Sequence, residues 1–175
     1  MKKNILITGL PGVGKTTLLK KLVVIFKEFN PAGFYTEEVL EDGNRVGFEI
    51  FNLHGDGQVF AHVKLKSKYA VGRYKVDLKG FEKFSEEVFS NEKKSSLYLI
   101  DEIGKMECLS RKFSKSIIEF MNSDKPFIAT IADKGTGLIQ DLKKRDDVKI
   151  LEVTPANRDL RLKELTMIIR DLLLE

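Results

Sequence analysis

The sequence predicts an α/β fold: a mostly parallel sheet flanked by helices, with an antiparallel strand insert near residues 33–64. Three observations carry that prediction. Short apolar runs alternate with longer stretches whose apolar residues recur at helical spacing. The first of those runs feeds a glycine-rich loop that opens directly into a helix. Between residues 33 and 64, by contrast, glycine with Asp or Asn separates three runs of near-alternating polarity, which is a hairpin signal.

The elements follow in order. Residues 3–9 form a buried strand around Ile5, Leu6 and Ile7. A helix over 15–29 places Leu18, Leu22 and Ile25 or Phe26 on one face. Asn30-Pro31 ends it, because the residue before a proline is pushed out of the helical region. Strands at 33–41, 45–52 and 58–64 are joined by Asp42-Gly43-Asn44 and by His54-Gly55-Asp56-Gly57. The alternation of strand and helix then resumes. A helix at 78–90 carries Leu78, Phe81, Phe84 or Ser85, and Val88 on one side, and a strand follows at 96–101. A helix at 110–122 buries Phe113, Ile117 and Phe120 or Met121, and is followed by a strand at 125–131, a short helix at 137–145 and a last strand at 148–153. Thr154 and Pro155 read as the N-cap and first residue of a C-terminal helix with its stripe on Leu162, Leu165, Ile169 and Leu172. No linker, repeat or low-complexity segment divides the chain, so residues 1–175 are expected to form one domain.

Composition narrows the function classes. With 42% hydrophobic and 32% charged residues, the chain can bury a core and does not read as disordered. The net charge of +4 comes from short pairs and triplets such as Lys143-Lys144-Arg145 set among acids, so no nucleic-acid partner is expected. No apolar stretch reaches membrane-spanning length, and the run after Met1-Lys2-Lys3 is too short for a secretory leader. Cys108 is the sole cysteine, which excludes an internal disulfide and fits a reducing cytoplasm. No cysteine–histidine cluster surrounds it, and His54 and His62 read as structural residues.

The chemistry begins at Gly9-Leu10-Pro11-Gly12-Val13-Gly14-Lys15-Thr16, followed by Thr17. It fits G-x-x-x-x-G-K-[ST] at every fixed position and lies between a strand and a helix. Glycines let the backbone wrap closely around phosphates, and the helix N-terminus adds partial positive charge. Lys15 is placed to reach the β- and γ-phosphates and Thr16 to put its hydroxyl on Mg²⁺. A nucleoside triphosphate is the implied ligand.

Leu97-Tyr98-Leu99-Ile100 reads as a strand buried on both faces, with Asp101 and Glu102 at its C-terminal end, where open α/β sheets place ligands. Asp101 is the candidate metal-holding acid. Glu102 is the candidate base that orients or deprotonates water. Arg73, in Val71-Gly72-Arg73-Tyr74, and Lys105 are candidate cations for the transferring phosphoryl group. Thr130, at the end of its strand, is in place to sense the γ-phosphate or to serve structure alone.

The string Asp101-Glu102-Ile103-Gly104-Lys105-Met106-Glu107 resembles the signature of the small P-loop nucleoside-triphosphatases of the thermophilic and cancer-related NTPase family. The phosphate loop, Gly33-Phe34-Tyr35-Thr36-Glu37-Glu38-Val39, Val71-Gly72-Arg73-Tyr74 and Thr154-Pro155-Ala156-Asn157-Arg158-Asp159 agree in order and spacing over nearly the whole chain. The resemblance implies a P-loop NTPase fold and Mg²⁺-dependent hydrolysis of NTP to NDP and phosphate, with loose base preference. It implies that Lys15 and Thr16 bind phosphate and metal, that Asp101 holds the metal, that Glu102 activates water and that Arg73 belongs to the site. Asn157 and Arg158 fall just after the last strand, where such a fold presents groups to the base or ribose. Two other readings stay open at this point: a P-loop kinase, which needs an acceptor site and an arginine-rich lid, and a nucleotide-dependent switch with the antiparallel insert as its partner surface. The oligomeric state is not encoded in any of these features.

Overall fold

Nine strands among the described residues join one sheet, in the order β5-β6-β4-β3-β2-β7-β8-β1-β9. They are β1 (Asn4–Thr8), β2 (Ala32–Glu41), β3 (Asn44–Asn52), β4 (Gly57–His62), β5 (Ala70–Val71), β6 (Tyr74–Val76), β7 (Tyr98–Ile103), β8 (Phe127–Ile131) and β9 (Val148–Glu152). The computed structural model describes residues 2–90 and 92–174; Met1, Asn91 and Glu175 of the expected span lie outside the described residues.

The half from β2 to β9 is parallel. Its middle strands carry the long apolar runs because both faces are covered: Ile5, Leu6, Ile7, Leu99, Ile100, Ile128 and Ala129 are fully buried. On one face, Leu18, Leu19 and Leu22 of α1 (Lys15–Ile25) pack with Leu165 and Ile169 of α5 (Arg158–Leu174). On the other, Phe81 and Phe84 of α2 (Leu78–Phe89) and Phe113 of α3 (Arg111–Asn122) gather around Phe34, with ring centroids 5.8–6.4 Å from it. The remaining helix, α4 (Leu138–Lys143), precedes β9 and buries Ile139 and Leu142.

The antiparallel half is larger than the insert the sequence predicts. Only Ala32–Phe34 of β2 pair with β7; the rest of this ten-residue strand runs on beside β3. Asp42 and Gly43 both take positive φ, the geometry of the tight hairpin turn their sequence predicts. Beyond β4 comes a further hairpin, β5–β6, so the arm reaches Val76 rather than ending near residue 64. With strands of two and three residues, this hairpin is too short for an alternation pattern to register.

Helix boundaries shift in ways that local chemistry explains. The first helix stops at Ile25, and a single 3₁₀ turn, Lys27–Phe29, completes the span predicted as helix. Of the paired alternatives on its buried face, Phe26 is buried and Ile25 is exposed. The third helix begins at Arg111, because Ser110 is its N-cap, accepting the Phe113 N–H at 3.1 Å. The last helix begins at Arg158, three residues later than Pro155. Thr154 still closes the preceding turn: its carbonyl accepts the Arg158 N–H at 3.1 Å, and its own N–H donates to Asn157 Oδ1 at 2.8 Å. No helix among the described residues is long and apolar enough to cross a membrane.

Candidate active site

The parallel strands deliver their C-terminal ends to one edge, and the phosphate loop lies there between β1 and α1. Gly9 leaves the strand with φ 149°, and a Cβ on it would stand 2.4 Å from the Val153 carbonyl oxygen of the neighbouring chain segment. Gly14 caps α1 at φ 99°, with the Arg158 side chain lying where a Cβ would point, its Cδ at 2.9 Å. These positions therefore require glycine on both backbone and steric grounds. Lys15 folds back over the loop and donates to the carbonyls of Gly9 at 2.7 Å and Leu10 at 3.1 Å.

Asp101 is the hub of the site. It is only 1% exposed. Thr16 Oγ1 donates to its Oδ2 at 2.7 Å, Thr130 Oγ1 donates to its Oδ1 at 2.5 Å, and the Thr36 backbone donates as well. Burial pushes its carboxyl above the ordinary range; the Thr130 and Thr16 hydroxyls, the Thr36 N–H and the Lys15 charge oppose that rise.

Adjacent residues of a regular strand point to opposite faces, so neighbouring acids would not share a site. A register shift in β7 removes that obstacle: Ile100 pairs with Ala129 and Ile103 with Ile131, so Asp101 and Glu102 together stand opposite Thr130. Such a bulge re-aims side chains and recurs next to active sites. Asp101 thus turns to Thr16 while Glu102 lines the cleft above the phosphate loop. Burial raises the Glu102 carboxyl, the Asp101 charge raises it further, and Lys15 works against both.

The cleft holds about 940 Å³. It is lined by the phosphate loop, by Glu102, Lys105, Met106 and Glu107, and by Thr36, Arg45, Phe48 and Val71 of the antiparallel arm. A smaller hollow of about 400 Å³ lies at the other end of β2, between Asn30–Gly33 and Phe84–Val88, away from the loop.

A family model described as NTPase matches residues 4–166. The chain belongs to this NTPase family. Nucleoside-triphosphatase THEP1 of Thermotoga sp. (strain RQ2) is 43% identical over 171 residues, 95% of this chain and 95% of the relative. The cancer-related nucleoside-triphosphatase of Homo sapiens is 37% identical, over 91% of this chain and 92% of the relative. Among solved structures, the crystal structure of THEP1 from Aquifex aeolicus superposes with a TM-score of 0.86 at 33% identity, covering 95% of this chain and 98% of the other. The solution structure of the human cancer-related protein gives 0.80 at 34%, covering 96% and 97%. The α/β P-loop fold of the family is therefore the fold of this chain.

Within that family frame, most of the expected site residues converge. Gly9, Leu10, Pro11, Gly12, Gly14, Lys15, Thr16 and Thr17 line the cleft with Glu102 and Lys105. Val13 turns inward and packs against the α1–α5 core. Asp101 lies beneath the wall and touches the site through Thr16. Thr130 is fully buried and meets the site through its hydrogen bond to Asp101. Arg73 sits in the β5–β6 turn rather than in an open loop, and it does not line the cleft. Its guanidinium donates to the Arg45 carbonyl and lies 5.2 Å from the Tyr74 ring centre. Arg45 lines the cleft instead, paired with Glu38 at 2.7 Å and donating to Tyr74 Oη at 3.0 Å. Arg158 lies over Gly14, on the outer side of the loop. Asn157 spends its amide on the turn, accepting from Thr154 and donating to the Glu152 carbonyl at 3.1 Å. Arg45, Thr36 and Glu107 were not singled out by sequence. Nothing in an isolated hairpin marks Arg45 as facing the loop, and Glu107 carried only its place in the signature string.

Proposed function

We propose that residues 1–175 act as one Mg²⁺-dependent nucleoside-triphosphatase domain that transfers the γ-phosphoryl group to water. The observation that carries this reading is the Glu102 carboxylate, held at the cleft beside the Asp101–Thr16 pair and facing the phosphate loop. Water attacks the γ-phosphorus, the bond to the β–γ bridging oxygen breaks, and the proton of the water passes to Glu102. A carboxyl raised above its ordinary range is a better proton acceptor near neutral pH than an exposed one. Lys15 leaves the Gly9 and Leu10 carbonyls to pair with phosphate oxygens, and the loop N–H groups cradle the rest. Arg45 and Lys105 bring further positive charge to the cleft walls. Arg158, whose side chain lies against Gly14 of the loop, is the proposed contact to the ribose or base side of the ligand.

Magnesium takes hard oxygen ligands and is usually held by one or two protein oxygens together with substrate phosphates. Thr16 Oγ1 and Asp101 Oδ2 supply such oxygens beside the loop, while no group of three or more His, Cys, Asp or Glu suited to a metal occurs among the described residues. The donor set fits Mg²⁺ in this mode. When bound, the ion supplies charge neutralisation at the β- and γ-phosphate oxygens. A cytoplasmic setting belongs to the same reading, supported by the single Cys108, whose free thiol burial pushes up to about 12.

The test is phosphate release from ATP, GTP, CTP and UTP with Mg²⁺, run beside Glu102→Gln. Release from several triphosphates by the parent protein, with turnover of the variant down by roughly 10²–10⁴-fold and nucleotide binding retained, is the expected result. Full activity in Glu102→Gln removes Glu102 from the base role.

A further inference from the structure

One residue after Glu102, the β7–β8 ladder ends. Ile103 is its last paired residue, and the Ala132 N–H closes it on the Ile103 carbonyl at 3.1 Å. The next backbone N–H, that of Gly104, has no strand to donate to. It donates to a side chain: Glu107 Oε2 accepts it at 3.1 Å from a turn that Cys108 N–H closes onto the Gly104 carbonyl at 3.0 Å. Glu107 is 6% exposed and is one of the residues lining the cleft, so this carboxyl is built into the site rather than resting on its surface.

Gly104 also shows where the two glutamates stand. A Cβ on it would lie 2.7 Å from Glu107 Oε2 and 2.8 Å from Glu102 Oε1, with Glu102 Cγ at 3.3 Å. The two carboxyls thus crowd one side of a single backbone position, the side that faces the cleft. Any residue with a side chain at 104 would push them apart.

We propose that Glu107 is a positioning residue of the hydrolytic site, its carboxyl clamping the Gly104 backbone so that Glu102 is held against the phosphate cleft. This rests on the reading of Glu102 as the base. Glu107 suits the task because it adds no second charge. Burial first, then the Glu102 and Asp101 carboxylates on β7, hold its proton on up to about pH 8, against the pull of its own N–H and that of Gly104. A neutral carboxyl keeps the acceptor oxygen that Gly104 needs and adds no further negative charge beside Glu102 and Asp101.

The experiment compares steady-state hydrolysis of Mg-ATP at pH 7 by the parent protein, Glu107→Gln, Glu107→Ala, Gly104→Ala and Glu102→Gln, with binding of a fluorescent ATP analogue measured for each. Glutamine keeps a neutral acceptor oxygen, so Glu107→Gln is expected to hold kcat within about threefold. Glu107→Ala removes the clamp and Gly104→Ala fills the gap between the carboxyls; both are expected to lower kcat by at least about tenfold with KM and analogue affinity unchanged. A purely structural loss would instead weaken binding and turnover together and would not be rescued by glutamine. Parent-like kcat in Glu107→Ala, or equal losses in Glu107→Gln and Glu107→Ala, overturns the clamp. If Glu107→Ala does not fold, Gly104→Ala and Glu107→Gln decide the matter: the pair must split, the first impaired and the second not. Loss of turnover in Glu102→Gln alongside an active Glu107→Ala rejects the clamp alone, whereas an active Glu102→Gln rejects the base assignment beneath it.

Discussion

Replacing Glu107 by glutamine has a consequence for stability that can be worked from the site itself. An ordinary glutamate releases its proton near 4.5, but burial and two neighbouring carboxylates hold that of Glu107 to about 8 in the folded protein. Between those values the folded state binds a proton that the unfolded chain has lost. The favourable contribution of this group is complete below 4.5 and drains away as pH rises through 8. Each pH unit in that interval removes about 1.4 kcal/mol, so the whole rise costs on the order of 4–5 kcal/mol. Glutamine does not titrate and escapes the penalty. The other carboxyls of the site titrate in both proteins and largely cancel in the comparison. For a domain of this size 1 kcal/mol corresponds to roughly 2–4 °C in Tm, so the Tm of Glu107→Gln relative to the parent should climb by roughly 8–20 °C between pH 4.5 and pH 9. The assay is thermal unfolding followed by circular dichroism, with nucleotide absent and divalent ions chelated, at closely spaced pH values. A Tm difference that stays constant across this range would refute the buried neutral carboxyl and, with it, the physical basis for glutamine rescue of turnover.

The two arginines of the arm should separate cleanly. Arg45→Ala removes a cation from the cleft wall and should lower kcat about tenfold in the phosphate-release assay, whereas Arg73→Ala, which is turned onto the Arg45 carbonyl, should stay within about twofold. Ser110 is fully buried, caps α3 and donates to Glu82 at 2.8 Å; Ser110→Ala should cost about 1–2 kcal/mol in urea unfolding with kcat unchanged, and a loss of turnover would mean that α3 reaches the site.

The parallel half of the fold was legible because its signals are local. A strand such as Tyr98–Ile103, buried on both faces, writes itself as an apolar run, and the phosphate loop writes itself as glycines at fixed spacing. The β5–β6 hairpin was not legible, since two- and three-residue strands leave no periodicity. Thr154-Pro155 reads as the start of α5, but residues 155–157 form a turn closed by the Asn157 side chain on the Thr154 N–H, and the regular helix begins at Arg158. The site divides along the same line. Lys15, Thr16, Asp101 and Glu102 announce themselves by type and spacing. Arg45 and Glu107 do not, because what places them is a sheet order and a turn that bring distant or differently facing residues to one cleft. The bulge is the instructive case. The sequence puts Asp101 beside Glu102, and a regular strand would then send them to opposite faces. Only the extra residue opposite Thr130 lets both serve one site.

The hydrogen bonds of Asp101 also tie the antiparallel arm to the parallel half. Asp101 collects hydrogen bonds from α1 through Thr16, from β8 through Thr130 and from β2 through the Thr36 backbone. Thr36 stands two residues past the point where β2 leaves β7 and continues as the first strand of the arm. The strand that helps seat the buried carboxylate is thus the strand that carries Glu37 and Glu38, and through its β3 partner Arg45, to the cleft. An arm attached by a flexible linker would set Arg45 at no fixed distance from Lys15. An arm that is the continuation of a core strand, already hydrogen-bonded to Asp101, holds the phosphate loop, Asp101 and Arg45 in a single hydrogen-bonded frame. Catalysis by positioning and fixed charge needs that kind of frame.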